Sequence, residues 1–147
     1  MVSRSDKIVL IEGPNLNLIE KRKKIYQSKE PLKNIIKKIS KRVSIEYFQF
    51  NGEGDIIDKI HEIIDDDNVI GLIINPGAYS HYSIAIKDAL EIFNKPKVEV
   101  HLTKLFKRSD ERKNFVTAKN VDLFISGSGN YGYYLAVDYI LYVNQEI

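Results

Sequence analysis

The heptapeptide VIGLIIN, residues 69–75, constrains the fold of this chain more than any other stretch. Its nearly continuous apolar character leaves no face to give to water, so as a strand it must be covered on both sides, like a central strand of a parallel sheet. Four further runs read as strands: Lys7 to Glu12, Val43 to Phe50, Lys97 to His101 and Val121 to Ser126. Segments of helical period alternate with them. Pro31 suits the first position of a helix running to about Ser40, and Asp55 to Asp65 sets Ile56, Ile57, Ile60, Ile63 and Ile64 at helical spacing. Ser83 is placed to cap a third helix, with Ile84, Ala85, Asp88, Ala89 and Phe93 along one stripe, and a closing helix from about Tyr131 to Val143 is expected to bury Leu135, Tyr139 and Ile140. Five strands alternating with helices predict an α/β fold in three layers, a flavodoxin-like doubly wound five-stranded parallel sheet. At 147 residues, with no internal repeat or linker, the chain reads as one domain spanning 1–147.

Charge narrows the function classes. The balance of 22 basic against 20 acidic residues argues against a strongly basic nucleic-acid binder. The average hides an asymmetry, since ten Lys or Arg lie between Lys21 and Arg42 with only Glu30 opposing them, whereas Asp55, Asp58, Glu62 and Asp65 to Asp67 crowd the following helix. Solvated helix faces and a basic loop account for most of this; attraction of a small anion is the functional alternative. No aromatics are interleaved with the lysines as stacking platforms for RNA. Cysteine is absent, which removes disulfides, thiolate nucleophiles and Cys-ligated metals. The four consecutive hydrophobes before Glu12 are too few for a signal-peptide core, and no apolar stretch is long enough to span a bilayer, so a soluble, cytoplasmic protein without a membrane partner is expected.

A doubly wound sheet binds ligands beyond the carboxyl ends of its strands. The segments there are GPNLNLIEKRKKIY, NGEGD, PGAYSHYS, LTKLFKR and GSGNYG, which bring polar and glycine-rich residues to one edge. Singly, Asn15 and Asn17 read as turn formers and His81 as a helix-flanking residue. Glu99 and His101 are different. The alternation Val98, Glu99, Val100, His101 puts both polar side chains on one face at the exit of a buried strand, where a carboxylate orients an imidazole and raises its basicity. A metal on His81, Glu99 and His101 matches no ligand spacing, and GSGNYG lacks the Lys-Ser/Thr pair of a phosphate cradle, so close packing of helix on strand is the better reading there.

Taken together, GPNLNL, the loop from Arg22 to Tyr26, FNGEGDIIDKIH, INPGAYSHYSIAIKDAL, VEVHLT, Arg108, Arg112 and SGSGNYGYYLA resemble type II 3-dehydroquinate dehydratase, in order and across nearly the whole chain. INPGAYSHYS with VEVH is the specific part. The resemblance implies the reversible loss of water from 3-dehydroquinate to give 3-dehydroshikimate in the shikimate pathway, with no cofactor.

It also implies roles. Tyr26 resembles the general base that takes the proton beside the ketone. A free tyrosine, with a pKa of about 10, needs roughly 4 kcal/mol of phenolate stabilisation to act near pH 7, and one guanidinium at about 4 Å supplies that much at an effective dielectric near 20. Arg22 is a sufficient activator and Arg108 a second; Asn15 is placed to stabilise the enolate oxygen through a water. His101, held by Glu99, resembles the general acid. Asn75, His81, the amides of Leu102 and Thr103, and Arg112 fall at positions that hold the substrate's carboxylate and hydroxyls. Asp88 resembles a residue reaching a neighbouring subunit's site, which implies a homo-oligomer of trimers assembled into a dodecamer.

The chain departs from the family pattern in places. EKRKKIYQ stands where the first loop usually reads like GTREPEIYG, without its glycines and proline and one residue shorter between Arg22 and Tyr26. Lys104 and Phe106 replace a usual Asn and His, Lys113-Asn114-Phe115 a usual His-His-Ser, and Gly52 a usual His. Two other classes remain open: a flavodoxin-like module binding flavin or another phosphate ligand, and a catalytically weakened family member serving as an oligomeric partner. A colourless protein counts against flavin, and retention of every proton-transfer residue counts against the second.

Overall fold

The computed structural model describes residues 2–145. Five strands, β1 (Lys7–Glu12), β2 (Ser44–Gln49), β3 (Val69–Asn75), β4 (Lys97–His101) and β5 (Leu123–Ser126), form one sheet in the order β2-β1-β3-β4-β5. Every pairing is parallel. This is the flavodoxin-like doubly wound order, whose switch point lies between β1 and β3.

Alternation along β1 sorts its side chains between two cores. Ile8 and Leu10 pack with Ile73, Val98 and Val100 beneath helices α1 (Leu32–Ile39) and α4 (Tyr131–Gln145). Val9 and Ile11 pack with Leu72 and Ile74 beneath α2 (Glu53–Ile63) and α3 (Ile84–Ile92). Each fully buried Ile or Leu contributes on the order of 1.5–3 kcal/mol of transfer free energy. Three layers result. Gly71 is dictated by this packing, because a Cβ there would lie 2.6 Å from Ile140 of α4.

Local details depart from the sequence expectation where a neighbour outweighs periodicity. Pro31 keeps extended backbone as the cap before α1 instead of its first residue, and α2 begins two residues earlier than its isoleucines suggest. Ser83 does cap α3, its Oγ accepting the Ile86 N–H at 3.0 Å. The buried stripe of α3 is Ile86, Ala89, Leu90 and the following Phe93; Ile84, Ala85 and Asp88 face outward. On α4 the buried side chains include Tyr133, Ala136, Val137 and Ile140, while Leu135 is exposed. Gly132 carries the helix-on-strand contact expected of GSGNYG, since a Cβ there would meet Val100 at 2.8 Å.

Candidate active site

The strand exits are locked to one another by backbone. Gly13 donates to the Asn75 carbonyl at 2.7 Å, and a Cβ on Gly13 would lie 2.6 Å from the Pro76 carbonyl oxygen. Gly77, at φ +60°, packs on Pro14 in a conformation that glycine adopts without strain. The exit of β2 joins them: Gln49 donates to the Gly13 carbonyl, Asn51 Oδ1 accepts the Asn15 N–H, and Tyr79 donates to the Asn51 carbonyl. The loops after β1, β2 and β3 thus form a fixed floor.

Over this floor passes the segment after β1, built from two short 3₁₀ turns, Leu16–Lys21 and Lys24–Tyr26. The glycines usual in this loop are missing, and Gln27 shapes it by donating to the carbonyls of Glu20 and Arg22 at 3.1 and 2.9 Å. The loop after β5 holds its far end. Ser28 Oγ accepts the Asn130 N–H, and the buried Asn130 carboxamide donates to the Glu30 carbonyl.

Arg22, Tyr26, Asn75, His101, Leu102, Thr103, Arg108 and Arg112 line one cavity of about 40 Å³. Within it, the guanidiniums of Arg22 and Arg108 lie over the Tyr26 ring, 4.9 and 4.1 Å from its centroid. Arg108 is anchored by donating to Thr103 Oγ1 at 3.0 Å. Burial, then the neighbouring guanidiniums of Arg108 and Arg22, pull the Arg112 pKa below its ordinary value. None of these three arginines forms an ion pair among the described residues. Three guanidiniums thus gather around one cavity without a direct carboxylate partner, an arrangement of positive potential.

His101 Nε2 meets Glu99 Oε2 at 2.7 Å, and Glu99 Oε1 accepts from the buried Thr117 hydroxyl at 2.5 Å. The carboxylate is therefore satisfied on both oxygens, and His101 Nδ1 is left for the cavity. His81 lies beside them, its ring 6.3 Å from that of His101. Its Nδ1 donates to the Asn114 carbonyl at 2.8 Å, which leaves Nε2 as a buried acceptor with no partner. Burial, with the charges of Arg112 and His101, lowers the His81 pKa and favours this neutral ring. Asn114 also donates to the His81 carbonyl, and Phe115 packs on the ring, so the unusual Lys113-Asn114-Phe115 segment has a defined task in holding His81.

Two residues named from the sequence stand apart. Asn15 is exposed, in left-handed conformation at φ 71°, at the edge of the floor. Asp88 is exposed on α3 and is not among the residues that line the cavity. The sequence reading missed Thr117 and a second buried carboxylate, Glu12, which accepts from Tyr133 at 2.5 Å and Tyr47 at 2.7 Å. A signal for Glu12 existed, because like Glu99 it is a lone acid at the exit of an apolar strand. Among the described residues no group of three His, Asp or Glu could hold a metal ion, and no helix is long and apolar enough to cross a membrane.

The family model described as dehydroquinase class II matches residues 6–141. A 3-dehydroquinate dehydratase of Thermotoga petrophila is 48% identical over 139 residues, covering 91% of this chain and 94% of that protein. One from Clostridium botulinum is also 48% identical over 139 residues, covering 91% and 93%. The crystal structure of a type II dehydroquinase from Butyrivibrio crossotus superimposes with a TM-score of 0.86 at 39% identity, over 92% of this chain and 97% of that one.

Proposed function

The chain belongs to the class II dehydroquinase family, whose members are dehydratases, and we propose that it converts 3-dehydroquinate to 3-dehydroshikimate and water by an anti elimination through an enolate. The observation that carries this reading is the gathering of Tyr26, Arg22 and Arg108 at one cavity that also receives His101, with both guanidiniums over the Tyr26 ring. Removal of a proton from carbon needs a base at this place, and Tyr26 is assigned that role.

Tyr26 as phenolate takes the proton from the carbon beside the ketone, and the bonding pair passes into the enolate. Asn15 supports the enolate oxygen through a water. The enolate then expels the hydroxyl two carbons away as His101 delivers a proton to it, releasing water and the conjugated enone. Glu99 orients His101 and compensates its imidazolium. Tyr26 returns its proton to solvent and His101 regains one. Asn75, His81, the amides of Leu102 and Thr103, and Arg112 hold the substrate's hydroxyls and carboxylate; every step is assigned to a side chain, with no cofactor.

We read the whole chain, 1–147, as one cytoplasmic unit of the shikimate pathway, assembled as trimers in a dodecamer through contacts that include Asp88. Incubation with 3-dehydroquinate and direct absorbance of the conjugated enone tests the reaction; no rise above the uncatalysed rate would overturn it.

A further inference from the structure

Asn75 carries one carbonyl and two N–H groups, and the structure accounts for all but one of them. Its Oδ1 accepts the Gly77 N–H at 3.1 Å, and one Nδ2 hydrogen goes to the Tyr133 oxygen at 3.1 Å. The second N–H remains for the cavity that Asn75 lines. This arrangement depends on a choice made elsewhere. A hydroxyl has a single hydrogen, and Tyr133 gives its hydrogen to Glu12 Oε2, so its oxygen can only accept from Asn75. Tyr47 occupies the other carboxylate oxygen and holds Glu12 in place. Glu12, Tyr133 and Asn75 are 3%, 0% and 2% exposed, so water does not compete for these bonds. Were the acceptor at position 12 removed, the Tyr133 hydrogen would be free to point at Asn75, where two donors would confront each other.

We propose that Glu12 is a positioning residue for ligand binding: by taking the Tyr133 hydrogen it holds the Asn75 carboxamide with an N–H aimed into the cavity, which selects a ligand oxygen as hydrogen-bond acceptor. The inference rests on the reading of this cavity as the dehydroquinate site. Burial raises the Glu12 pKa, and the hydrogen bonds from Tyr133 and Tyr47 oppose that shift by favouring the ionised acceptor.

The test compares the parent with E12L, E12Q and Y133F. Glutamine keeps an oxygen for Tyr133 and offers its N–H to the Tyr47 oxygen; leucine removes the acceptor, and Y133F removes the intermediary. E12L and Y133F are expected to raise KM about tenfold with kcat within about threefold, because a bond made equally in ground and transition states is lost, whereas E12Q stays within about threefold of the parent in both. A purely structural role would lower the melting temperature without this split. In parallel, the Asn75 side-chain amide resonance, assigned by its loss in N75D, is expected to shift in E12L and Y133F and hold in E12Q. Unchanged KM with an unmoved resonance in folded E12L, or in Y133F should E12L not fold, overturns the relay, as does an E12Q as impaired as E12L. A parent that fails to turn over 3-dehydroquinate sinks the assigned reaction instead, and the amide resonance alone then decides for or against the relay.

Discussion

His101 and Glu99, two residues apart on β4, share a 2.7 Å hydrogen bond in a setting almost sealed from solvent, and Thr117 occupies the remaining oxygen of the carboxylate. The pair therefore acts as one unit. His101→Ala and Glu99→Gln are each expected to slow elimination by about a hundredfold, and the double variant by less than the product of the two. Thr117→Val, which leaves one Glu99 oxygen bare, is expected to cost about tenfold in kcat. Steady-state kinetics of the four proteins decide the matter, and strict additivity would mean that the two side chains work separately.

Tyr26 is predicted to matter only in the chemical step. Tyr26→Phe keeps the ring that the two guanidiniums overlie and removes the basic oxygen, so kcat should fall by about two orders of magnitude or more while substrate binding, read by calorimetry, stays within about threefold. Activity within tenfold of the parent would sink the assignment.

Why part of this was legible in the sequence and part was not follows from chain separation. The bounds of β1, β3 and β4 were readable because each is an apolar run ended by a polar residue at the sheet edge, and Glu99 and His101 were paired by simple alternation along one strand. The Tyr133 bond to Glu12 spans 121 residues, and the Asn114 bond to His81 spans 33, so no local pattern announces either. On α3, Ile84 looked like core from periodicity, yet it lies in the first turn on the outer face, where the stripe of Ile86, Ala89 and Leu90 leaves it no partner.

His81 gives a stability signature with a definite sign. Its folded pKa lies below the ordinary 6.5, first through burial and then through the charges of Arg112 and His101. The unfolded chain therefore takes a proton at a pH where the folded chain does not. The His81 contribution is complete above about 6.5, declines as the pH falls through that value, and levels off once the folded ring also protonates. Denaturant unfolding at pH 7.5 and 5.5 should show a larger loss for the parent than for His81→Gln, in which the other two histidines are unchanged. Equal losses would remove His81 from the linkage.

Assembly is testable through α3. Tyr82 and Ile84 are 62% and 63% exposed beside the outward-facing Asp88, an apolar and charged surface suited to a neighbouring copy. Light scattering is expected to give a mass far above 17.0 kDa, that of twelve chains. A monomer of full activity would separate Asp88 from the site.

A lysine imine offers another route to the same product, since condensation with the ketone makes the neighbouring proton acidic. Such a lysine must be near the cavity and neutral enough to attack. Lys97 is the lysine whose pKa burial lowers, which the sequence alone did not suggest. It opens β4, however, whereas His101 closes it, and four steps along a strand place them about 13 Å apart. Its amine is also engaged, donating to the Leu90 and Phe93 carbonyls at the end of α3. Lys21, Lys23 and Lys24 are exposed to water on the covering segment, without the burial that an imine-forming lysine uses. Borohydride added with 3-dehydroquinate should therefore leave both activity and protein mass unchanged, and Lys97→Met should turn over at the parent's rate if it folds. A stable mass increase matching reduced substrate on any lysine would replace the non-covalent enolate route with a covalent imine intermediate.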